Sequence, residues 1–403
     1  MADSFQTRAV HAGRQDLIKL GVHAPPLDYS STYPITSLEE GVASIDDFIQ
    51  GKASASNPVY SRLFNPTVDR WEQGVADLEG AKGGAVSFSS GMAATTAALF
   101  AQRVLATANG KSRNHVVAVR PLYGGTDHLL SNGLLGIDVT WAKPDEIAAS
   151  IREDTGLVWI ETPANPTLQV VEIAAACRDA GEVPVIVDNT FSTPILQRPL
   201  EHGAIMALHS ATKFLGGHGD VLAGIVACKD EAWANALRQV RILTGAVLHP
   251  QAAWLLHRSL PTLPMRVLQA QANAIEVANW LRQQPEVGRV MFPDNDPIAK
   301  RQMDGPGSLL SFELFGGFDA AAAVMGTVKL CTPAVSLGSN DSLIQHPAGL
   351  THRVLSAEAR EQGGITSGMM RLSVGIENAE DIIADLTQAL HGSALIIKHK
   401  LVQ

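Results

Sequence analysis

Residues 183–190 read VPVIVDNT, and residues 205–213 read IMALHSATK. Each stretch is a short apolar run that ends in polar side chains, at Asp188 in the first and up to Lys213 in the second. Runs that stay apolar throughout are typical of parallel strands buried on both faces. In such sheets the ligand site lies beyond the carboxyl ends of the strands. We therefore expect an α/β fold with its chemistry at this edge.

Similar apolar runs alternate with helical patterns on both sides of these two stretches. The predicted strands are residues 85–88, 115–119, 137–141, 157–160, 183–187, 205–208 and 221–227. The predicted helices among and after them are residues 68–78, 91–107, 144–152, 171–178, 232–244 and 251–260. This alternation predicts a mostly parallel, seven-stranded sheet with helices on both faces. We assign it to a large domain over residues 61–260.

Residues 1–60 differ from the rest of the chain in their sequence pattern. They contain Pro25, Pro26, Pro34 and Pro58 and show little periodicity, so they read as irregular. A segment of this kind rarely folds alone. We expect an arm that lies over another part of the molecule or over a partner subunit.

The pattern changes again after residue 260, where we expect a smaller α+β domain over residues 261–403. The hydrophobic pattern of the last predicted helix ends near residue 390. Residues 393–403 come after it, and the sequence indicates no function for them. The predicted elements of this domain are a long helix at 264–285, strands at 308–314 and 370–374, and helices at 320–325 and 379–390.

Composition and charge exclude several classes of protein. Of the 403 residues, 46% are hydrophobic and 18% are charged, as in globular proteins with a sizeable core. The formal net charge of −9 argues against a nucleic-acid-binding surface. Residues 1–8 show no apolar leader, and no apolar run reaches about 18 residues, so we expect neither secretion nor a membrane span.

The cysteines and histidines do not predict a metal site. Cys177, Cys228 and Cys331 lie far apart with no C-x-x-C spacing, which argues against a disulfide framework and a zinc site. His346 and His352 are separated by a proline-containing stretch and do not form a metal motif. The cysteine pattern suits a reducing compartment, so we expect a cytoplasmic enzyme.

Four groups of polar residues follow predicted strands, and the first is Ser89, Ser90, Gly91 and Met92. These residues open a helix, where free backbone N–H groups and small side chains form an anion site. A plain helix N-cap by Ser90 explains the same residues.

The second and third groups place an amide and a carboxylate at strand ends. Residues 161–167 read ETPANPT, and their prolines hold Asn165 beside the strand end, although a simple turn explains them equally well. Asp188 ends an apolar strand, and a buried carboxylate is costly unless it meets a cation such as a protonated ring nitrogen. An N-cap role for Asp188 is the alternative.

The fourth group combines the hydroxyls of Ser210 and Thr212 with the amine of Lys213, before a glycine-rich turn at residues 216–219. Hydroxyls suit a phosphate, and a lysine in a dry pocket loses proton affinity and becomes a nucleophile. A surface lysine with its head in water is the ordinary alternative. Taken together, an anion cradle, an acid for a ring nitrogen and an amine for an imine describe a pyridoxal 5'-phosphate (PLP) site.

At this point the sequence resembles the trans-sulfuration, or Cys/Met metabolism, family of PLP-dependent enzymes, which includes cystathionine γ-lyase, cystathionine γ-synthase and methionine γ-lyase. The resemblance covers nearly the whole chain and is specific. Besides the four groups, it is carried by residues 7–13 (TRAVHAG), 30–33 (SSTY), 60–62 (YSR), 65–67 (NPT), 122–126 (LYGGT), 335–338 (VSLG), His346-Pro347, Thr351-His352 and 371–377 (RLSVGIE).

The resemblance implies a fold-type I, aspartate aminotransferase-like architecture and a homotetramer built as a dimer of dimers with shared active sites. It implies that Lys213 binds PLP and then moves protons, that Asp188 pairs with the pyridine nitrogen, and that Tyr123 stacks on the ring and assists the leaving group. The further cofactor contacts that it implies are Tyr60 and Arg62 from the partner subunit, together with Ser90, Gly91, Met92, Glu161, Asn165, Ser210 and Thr212. The implied substrate contacts are Ser336, Leu337, Asp341 and Arg371.

The activity implied by the family is γ-elimination from an L-homoserine-derived amino acid, through aldimine and vinylglycine-type intermediates. γ-Replacement by a transferase is the alternative, and a β-lyase or a non-catalytic homologue comes after it.

Two departures from the family pattern bear on the substrate. Methionine γ-lyases tend to carry a cysteine where this chain has Gly125, which argues against methionine, and Asp341 stands where many relatives have glutamate. We therefore expect a cystathionine-like substrate or one with an oxygen-linked γ-substituent, of which canavanine is an example.

Overall fold

The computed structural model describes residues 4–55 and 57–402 of the chain, and of residues 393–402 the backbone alone. Two sheets organise the chain. The strands of the larger sheet are β1 (Gly84–Phe88), β2 (His115–Val119), β3 (Asp138–Ala142), β4 (Thr155–Glu161), β5 (Val185–Asp188), β6 (Met206–His209) and β7 (Gly224–Cys228). The strands of the smaller sheet are β8 (Val287–Met291), β9 (Leu309–Leu314), β10 (Thr332–Pro333), β11 (Leu343–Gln345) and β12 (Met369–Ser373).

Helices surround both sheets. In the described part of the chain, no helix has the length and apolar character needed to cross a membrane. The α-helices are α1 (Phe5–His11), α2 (Leu17–Leu20), α3 (Leu38–Ile49), α4 (Pro66–Glu79), α5 (Gly91–Ala108), α6 (Gly124–Ser131), α7 (Ile147–Ser150), α8 (Ile173–Ala180), α9 (Thr193–Leu196), α10 (Glu231–Thr244), α11 (Pro250–Ser259), α12 (Leu263–Leu281), α13 (Ala299–Gln302), α14 (Gly317–Thr327), α15 (Ala357–Gln362) and α16 (Ala379–Val402).

The larger sheet has the strand order β1-β7-β6-β5-β4-β2-β3. Only β7 runs against its neighbours, since it pairs antiparallel with both β1 and β6. The register places Glu161 beside Asp188 and Asp188 beside Leu208 at the carboxyl ends of β4, β5 and β6. The predicted seven-stranded, mostly parallel sheet is thereby confirmed.

The apolar strands bury both of their faces because side chains alternate across a sheet. Val116 and Ala118 of β2 pack in the core beneath α5 and α10, whereas Val117 and Val119 pack in the core against α8. The same alternation holds on β4, where Trp159 is completely buried. The continuous apolar runs in the sequence follow from this burial on two sides.

The smaller sheet has the order β10-β11-β12-β9-β8 and packs its apolar face against α12, α14 and α16. Phe312 of β9 and Leu386 of α16 lie in this core and are fully buried. On its central strands, Gln345 of β11 stands opposite Arg371 of β12. The small sheet thus presents two polar side chains toward the large one.

The first 60 residues contain more regular structure than their composition predicts. Helix α3 spans Leu38–Ile49, and Ser37 caps it by accepting a hydrogen bond from Glu40 N at 3.1 Å. The prediction of an irregular segment was therefore wrong for α3. The signal was present, because Ser37 and Glu40 have the spacing of a capping box.

Two other segments of the arm and tail are also more ordered than expected. Ala9 and Ala12 of the α1 region are buried in the large core, and His257 Nε2 bonds the carbonyl of Ala12 at 2.9 Å. At the other end, α16 continues to Val402 although the pattern predicts an end near residue 390. Gly392 does not stop it, since a helix can pass through glycine at a cost of about 1 kcal/mol.

Candidate active site

The carboxyl ends of β4, β5 and β6 lie side by side and carry the predicted polar groups. Glu161 ends β4, Asp188 ends β5, and the segment from Ser210 to Lys213 follows β6. A cavity of about 560 Å³ opens at this edge and is lined by residues from around both sheets. The predicted site residues that line it are Ser90, Gly91, Met92, Tyr123, Glu161, Asn165, Asp188, Ser210, Thr212, Lys213, Ser336, Leu337 and Arg371.

Lys213 lies half-buried in the turn after β6. Its Nζ donates a hydrogen bond to Ser336 Oγ at 2.6 Å. Burial and then the nearby charge of Arg371 lower the pKa of Lys213 from 10.5 to about 8. An amine with this pKa has a neutral fraction near neutral pH and can act as a nucleophile or a base. The alternative of a surface lysine in water therefore does not hold.

Asp188 and Glu161 are two buried carboxyl groups at adjacent positions of β5 and β4. Oδ1 of Asp188 accepts hydrogen bonds from Thr190 N at 3.0 Å and from Thr190 Oγ1 at 2.6 Å, whereas its Oδ2 has no partner among the described residues. Burial raises the pKa of Asp188, and the Thr190 bonds partly offset this. A cation placed at Oδ2 would be stabilised by the carboxylate.

Glu161 holds two neighbouring loops by their backbones. Its Oε2 accepts from Tyr123 N and its Oε1 accepts from Asn165 N, each at 2.7 Å. Burial and then the charge of Asp188 raise the pKa of Glu161 well above its ordinary value. Glu161 therefore positions Tyr123 and Asn165 in addition to lining the cavity.

Tyr123 stands at the start of α6 with 41% of its surface exposed. Its ring lies close against Gly125, because a Cβ at that position would be 2.6 Å from the ring and 3.2 Å from Met92 Sδ. A side chain at residue 125 would displace the ring. The glycine therefore sets where Tyr123 lies at the cavity mouth.

Arg371 forms the opposite wall of the cavity and is 2% exposed. Its Nη1 donates to Asn165 Oδ1 at 2.9 Å, and its Nη2 donates to the carbonyl of Ser336 at 2.6 Å. When the side-chain amide of Gln345 is oriented with its oxygen toward Arg371, that oxygen accepts hydrogen bonds from the guanidinium nitrogens at 3.0–3.2 Å. The sequence analysis missed Gln345, because only pairing of β11 with β12 brings it beside Arg371. A guanidinium held in this way is suited to binding a carboxylate.

The start of α5 forms a cradle beside Ser210. Ser90 Oγ caps the helix by accepting from Ala93 N at 3.1 Å, so the N-cap explanation for Ser90 is correct. Gly91 and Met92 line the cavity, and their backbone N–H groups belong to the first turn, which has no carbonyl partner within the helix. A Cβ on Gly91 would lie 3.0 Å from Ser210 Oγ, so only glycine leaves this space open. Thr212 Oγ1 is bonded to the backbone of Ala223, at 3.2 Å as donor and 3.0 Å as acceptor. Of the two predicted phosphate hydroxyls, Ser210 Oγ has no hydrogen-bond partner among the described residues and can bind an anion without losing a bond.

Three predicted residues do not line this cavity. Tyr60 and Arg62 lie on the surface of the same chain, where Arg62 Nη1 donates to the carbonyl of Ile242 at 2.9 Å. Asp341 is exposed and lines an adjoining cleft of about 670 Å³, which shares Ser336 and Leu337 with the main cavity.

These residues fit PLP as a bound group. The cradle at Gly91 and Ser210 suits its phosphate, the free Oδ2 of Asp188 suits its ring nitrogen, and the amine of Lys213, with its lowered pKa, suits its aldehyde. Fold and cavity together define a PLP-dependent enzyme of fold-type I.

Comparisons with known proteins give the family. The model of the family described as "Cys/Met metabolism PLP-dependent enzyme" matches residues 6–391. The chain belongs to this family. A protein described as L-methionine gamma-lyase from Streptomyces avermitilis is 51% identical over 96% of this chain and 89% of its own length. Another with the same description, from Fusobacterium nucleatum, is 41% identical over 95% of this chain and 97% of its own length.

Solved structures agree with this family in fold. A cystathionine gamma-lyase from Micromonospora echinospora has a TM-score of 0.85 and 38% identity, covering 97% of this chain and 100% of the other. A cystathionine gamma-synthase from Xanthomonas oryzae has a TM-score of 0.87 and 33% identity, covering 98% and 100%. The chain is therefore a PLP-dependent lyase whose reaction is γ-elimination.

Proposed function

We propose that the residues of this cavity carry out γ-elimination with Lys213 as the group that moves protons and Arg371 as the group that binds the substrate carboxylate. One observation supports this division most directly. Ser336 contacts both residues, through its hydroxyl to Lys213 Nζ at 2.6 Å and through its carbonyl to Arg371 Nη2 at 2.6 Å. An α-carboxylate bound at Arg371 would therefore place the neighbouring Cα beside the lysine amine.

The other residues act on the substrate and the cofactor in distinct ways. Bound PLP supplies an electron-withdrawing ring that stabilises negative charge at the substrate carbons. Asp188 stays opposite the ring nitrogen, and the backbone amides of Gly91 and Met92 with the Ser210 hydroxyl bind the phosphate. Tyr123 lies at the cavity mouth, where it contacts the departing γ-substituent. Lys213 takes the proton from Cα and returns one to the carbon chain.

L-Methionine is the substrate that the relatives support best. The two curated relatives described above are L-methionine gamma-lyases, and six further relatives at 37–49% identity carry the same description. The cavity wall beyond Ser336 is apolar at Val335, Leu337 and Leu350, which suits a thioether. These findings weigh against the expectation drawn from Gly125. Elimination would convert methionine and water into 2-oxobutanoate, ammonia and methanethiol.

A substrate with a cationic, oxygen-linked γ-substituent is the second candidate, and the adjoining cleft favours it. The ionisable residues among the described lining of this cleft are His218, Asp220 and Asp341, so its charge is negative. A γ-substituent long enough to pass Leu337 would reach these carboxylates. In this case Asp341 would bind the cationic end of the substrate.

A panel of purified amino acids tests both candidates. Methionine, cystathionine, an O-acylhomoserine and canavanine are incubated with the holoenzyme, with and without an added thiol, and products are identified by mass spectrometry. Formation of 2-oxobutanoate supports elimination, whereas a new thioether formed only with added thiol would establish γ-replacement. No product from the wild-type enzyme, or product formed equally by Lys213→Ala, would contradict the proposed role of the lysine.

The Asp341→Asn variant separates the two substrates. If the cleft binds a cationic end, kcat/KM for canavanine falls about two- to fivefold while that for methionine is unchanged. Asp145→Asn, which removes an exposed carboxylate that lines neither the cavity nor the adjoining cleft, is the matched control. Equal effects of Asp341→Asn on both substrates would contradict the role of Asp341 in specificity.

We also propose the assembly, domain limits and location that the sequence predicts. Tyr60 and Arg62 lie outside their own chain's cavity, which supports their contribution to the cavity of a partner in a homotetramer. The separate cores around the two sheets support domain limits at residues 61–260 and 261–403. The free thiols of Cys177, Cys228 and Cys331 support a cytoplasmic location.

A further inference from the structure

A pair of ionisable side chains lies buried behind the cavity, on the opposite side of the sheet from Asp188. Glu79, the last residue of α4, and His209, the last residue of β6, bring Oε1 and Nε2 to 2.5 Å from each other. The side chains are 0% and 1% exposed. None of the roles assigned above to cavity residues uses this pair.

Hydrogen bonds connect the pair to the strand that carries Asp188. Asn189, the next residue, donates through Nδ2 to Glu79 Oε1 at 3.2 Å, and its backbone N donates to the carbonyl of Leu208 at 2.8 Å. Gln197 Nε2 donates to Asn189 Oδ1 and to the carbonyl of Thr162, both at 2.8 Å. The ends of β4, β5 and β6 are therefore bound into one network.

The burial of this pair has an electrostatic consequence. A carboxylate this deep is costly unless a proton or a cation meets it, and the second atoms, Glu79 Oε2 and His209 Nδ1, have no partner in the described part of the chain. His209 Nε2 is the group that meets Glu79 Oε1, and the contact is an ion pair when the imidazole carries a proton. The charge of His209 also lowers the pKa of Asp188, against the larger effect of burial.

The remaining charges around Asp188 do not replace His209. Glu161, on the adjacent strand, is a like charge. Lys213 is committed to the cofactor, and Arg371 is committed to Asn165 and Ser336. His209 approaches the Asp188 strand from behind the sheet, and its charge lowers the pKa of Asp188.

We propose that Glu79 and His209 are a positioning pair for Asp188. Their contact holds the end of β5 against β6 and places a positive charge behind Asp188, so that Asp188 remains an anion toward the ring nitrogen of the cofactor. The pair does not touch the cofactor and acts through Asp188. This inference rests on the placement of Asp188 in the proposed function.

The test measures PLP binding rather than turnover. Cofactor-free protein is titrated with PLP, and the Kd is read from the absorbance of the lysine-bound cofactor at about 420 nm. For His209→Gln and for the isosteric Glu79→Gln, we expect the Kd to rise about tenfold, and more at pH 6 than at pH 8, because Asp188 then takes up a proton at higher pH. The double variant should show no larger effect than either single variant. His209→Gln removes the imidazole behind Asp188, and Glu79→Gln removes the carboxylate that stabilises its charge, so either change alone breaks the pair.

A cycle with Asp188→Asn separates positioning from general destabilisation. In the Asp188→Asn background, His209→Gln should change the Kd by less than about twofold, because no charge remains to be positioned. An equal effect in both backgrounds, or no effect in the wild-type background, would overturn the inference. Absence of the 420 nm band in the wild-type protein would instead contradict cofactor binding at Lys213 and thus the proposed function.

Two substitutions are matched controls. His115→Gln removes another fully buried histidine of the large sheet, and Glu72→Gln removes another buried glutamate of α4. Both should lower Tm without changing the Kd for PLP. If His209→Gln and Glu79→Gln yield no folded protein while both controls fold, the pair is purely structural and the positioning role is rejected.

Discussion

Lys213 lies where burial and the guanidinium of Arg371 both disfavour a protonated amine. Its Nζ donates a hydrogen bond to Ser336 Oγ, a neutral acceptor that supplies no negative charge to stabilise the protonated amine. A carboxylate in that place would raise the pKa again and make the amine inert near neutral pH. The reactivity of this lysine therefore depends on which residues surround it.

The pH dependence of cofactor capture follows from this lowered pKa. The amine is protonated and unreactive below its pKa and neutral above it, so capture of PLP by cofactor-free protein should accelerate as pH rises. We expect the half-maximal rate at about pH 8 rather than near 10.5. Stopped-flow absorbance between pH 6.5 and 10 measures this rate, with Lys213→Ala as the blank. A half-maximum near pH 10 would contradict the lowered pKa.

Gln345 has a measurable effect on substrate binding if it holds Arg371 as the structure indicates. Gln345→Leu removes a hydrogen-bond acceptor from the buried guanidinium of Arg371. The loss costs about 1–3 kcal/mol of stabilisation and leaves the guanidinium free to rotate away from the substrate carboxylate. We expect KM to rise about tenfold or more with a smaller change in kcat. Gln388→Leu, at a partly buried glutamine of α16, is the control and should leave KM unchanged. A fall in kcat alone would argue against a role in carboxylate binding.

Helix α5 meets the strand ends through its first turn. Ser90 ends the loop after β1 and caps the helix, so the backbone N–H groups that follow it are ordered before any anion binds. Gly91 is needed because Ser210 lies directly across from it. The combination of a cap and a glycine turns an ordinary helix start into a binding cradle.

Gly91→Ala tests this cradle. The added Cβ would lie 3.0 Å from both Cβ and Oγ of Ser210, so the hydroxyl must move away from the phosphate. We expect the Kd for PLP to rise about tenfold while Tm of the cofactor-free protein changes little, since alanine also favours the helix. Gly326→Ala in α14, where a Cβ meets nothing within 4 Å, is the matched control and should leave the Kd unchanged. An unchanged Kd for Gly91→Ala would remove the cradle from the phosphate site.

At the scale of the whole molecule, the predicted catalytic and substrate-binding residues lie where the two sheets meet. The large sheet supplies Lys213 and Asp188, and the small sheet supplies Arg371 with Gln345. Asn165 bonds Arg371 although 206 positions separate them in sequence. Tyr60 and Arg62 are exposed and lie outside this cavity, which is the basis of the proposal that a second chain shares it.

Mixing two inactive variants tests whether the cavity is shared. Arg62→Ala and Lys213→Ala proteins each have every site damaged, but a hybrid dimer formed from them has one site with both changes and one with neither. If Arg62 acts in the partner's cavity, equal mixing after mild dissociation should recover about a quarter of wild-type activity. Mixtures that stay as inactive as the separate variants would place Arg62 outside the partner's site.

The strands, the large sheet and most cavity residues were predictable because short apolar runs that end in polar groups carry the signal locally. Lys213, Asp188 and Asn165 each stand at such an end, and the resemblance to the family assigned their roles. Helix α3 was missed because prolines around it outweighed the capping signal of Ser37 and Glu40.

Other features arise only when distant segments pack. Gln345 stands beside Arg371 because β11 pairs with β12, and Glu79 meets His209 because α4 ends behind the large sheet. The low pKa of Lys213 also belongs to this group, since burial and the charge of Arg371 exist only in the folded chain. Residue types and local patterns determine which groups can react, whereas the contacts between elements determine their charge, because desolvation and Coulomb forces act through space and not along the sequence.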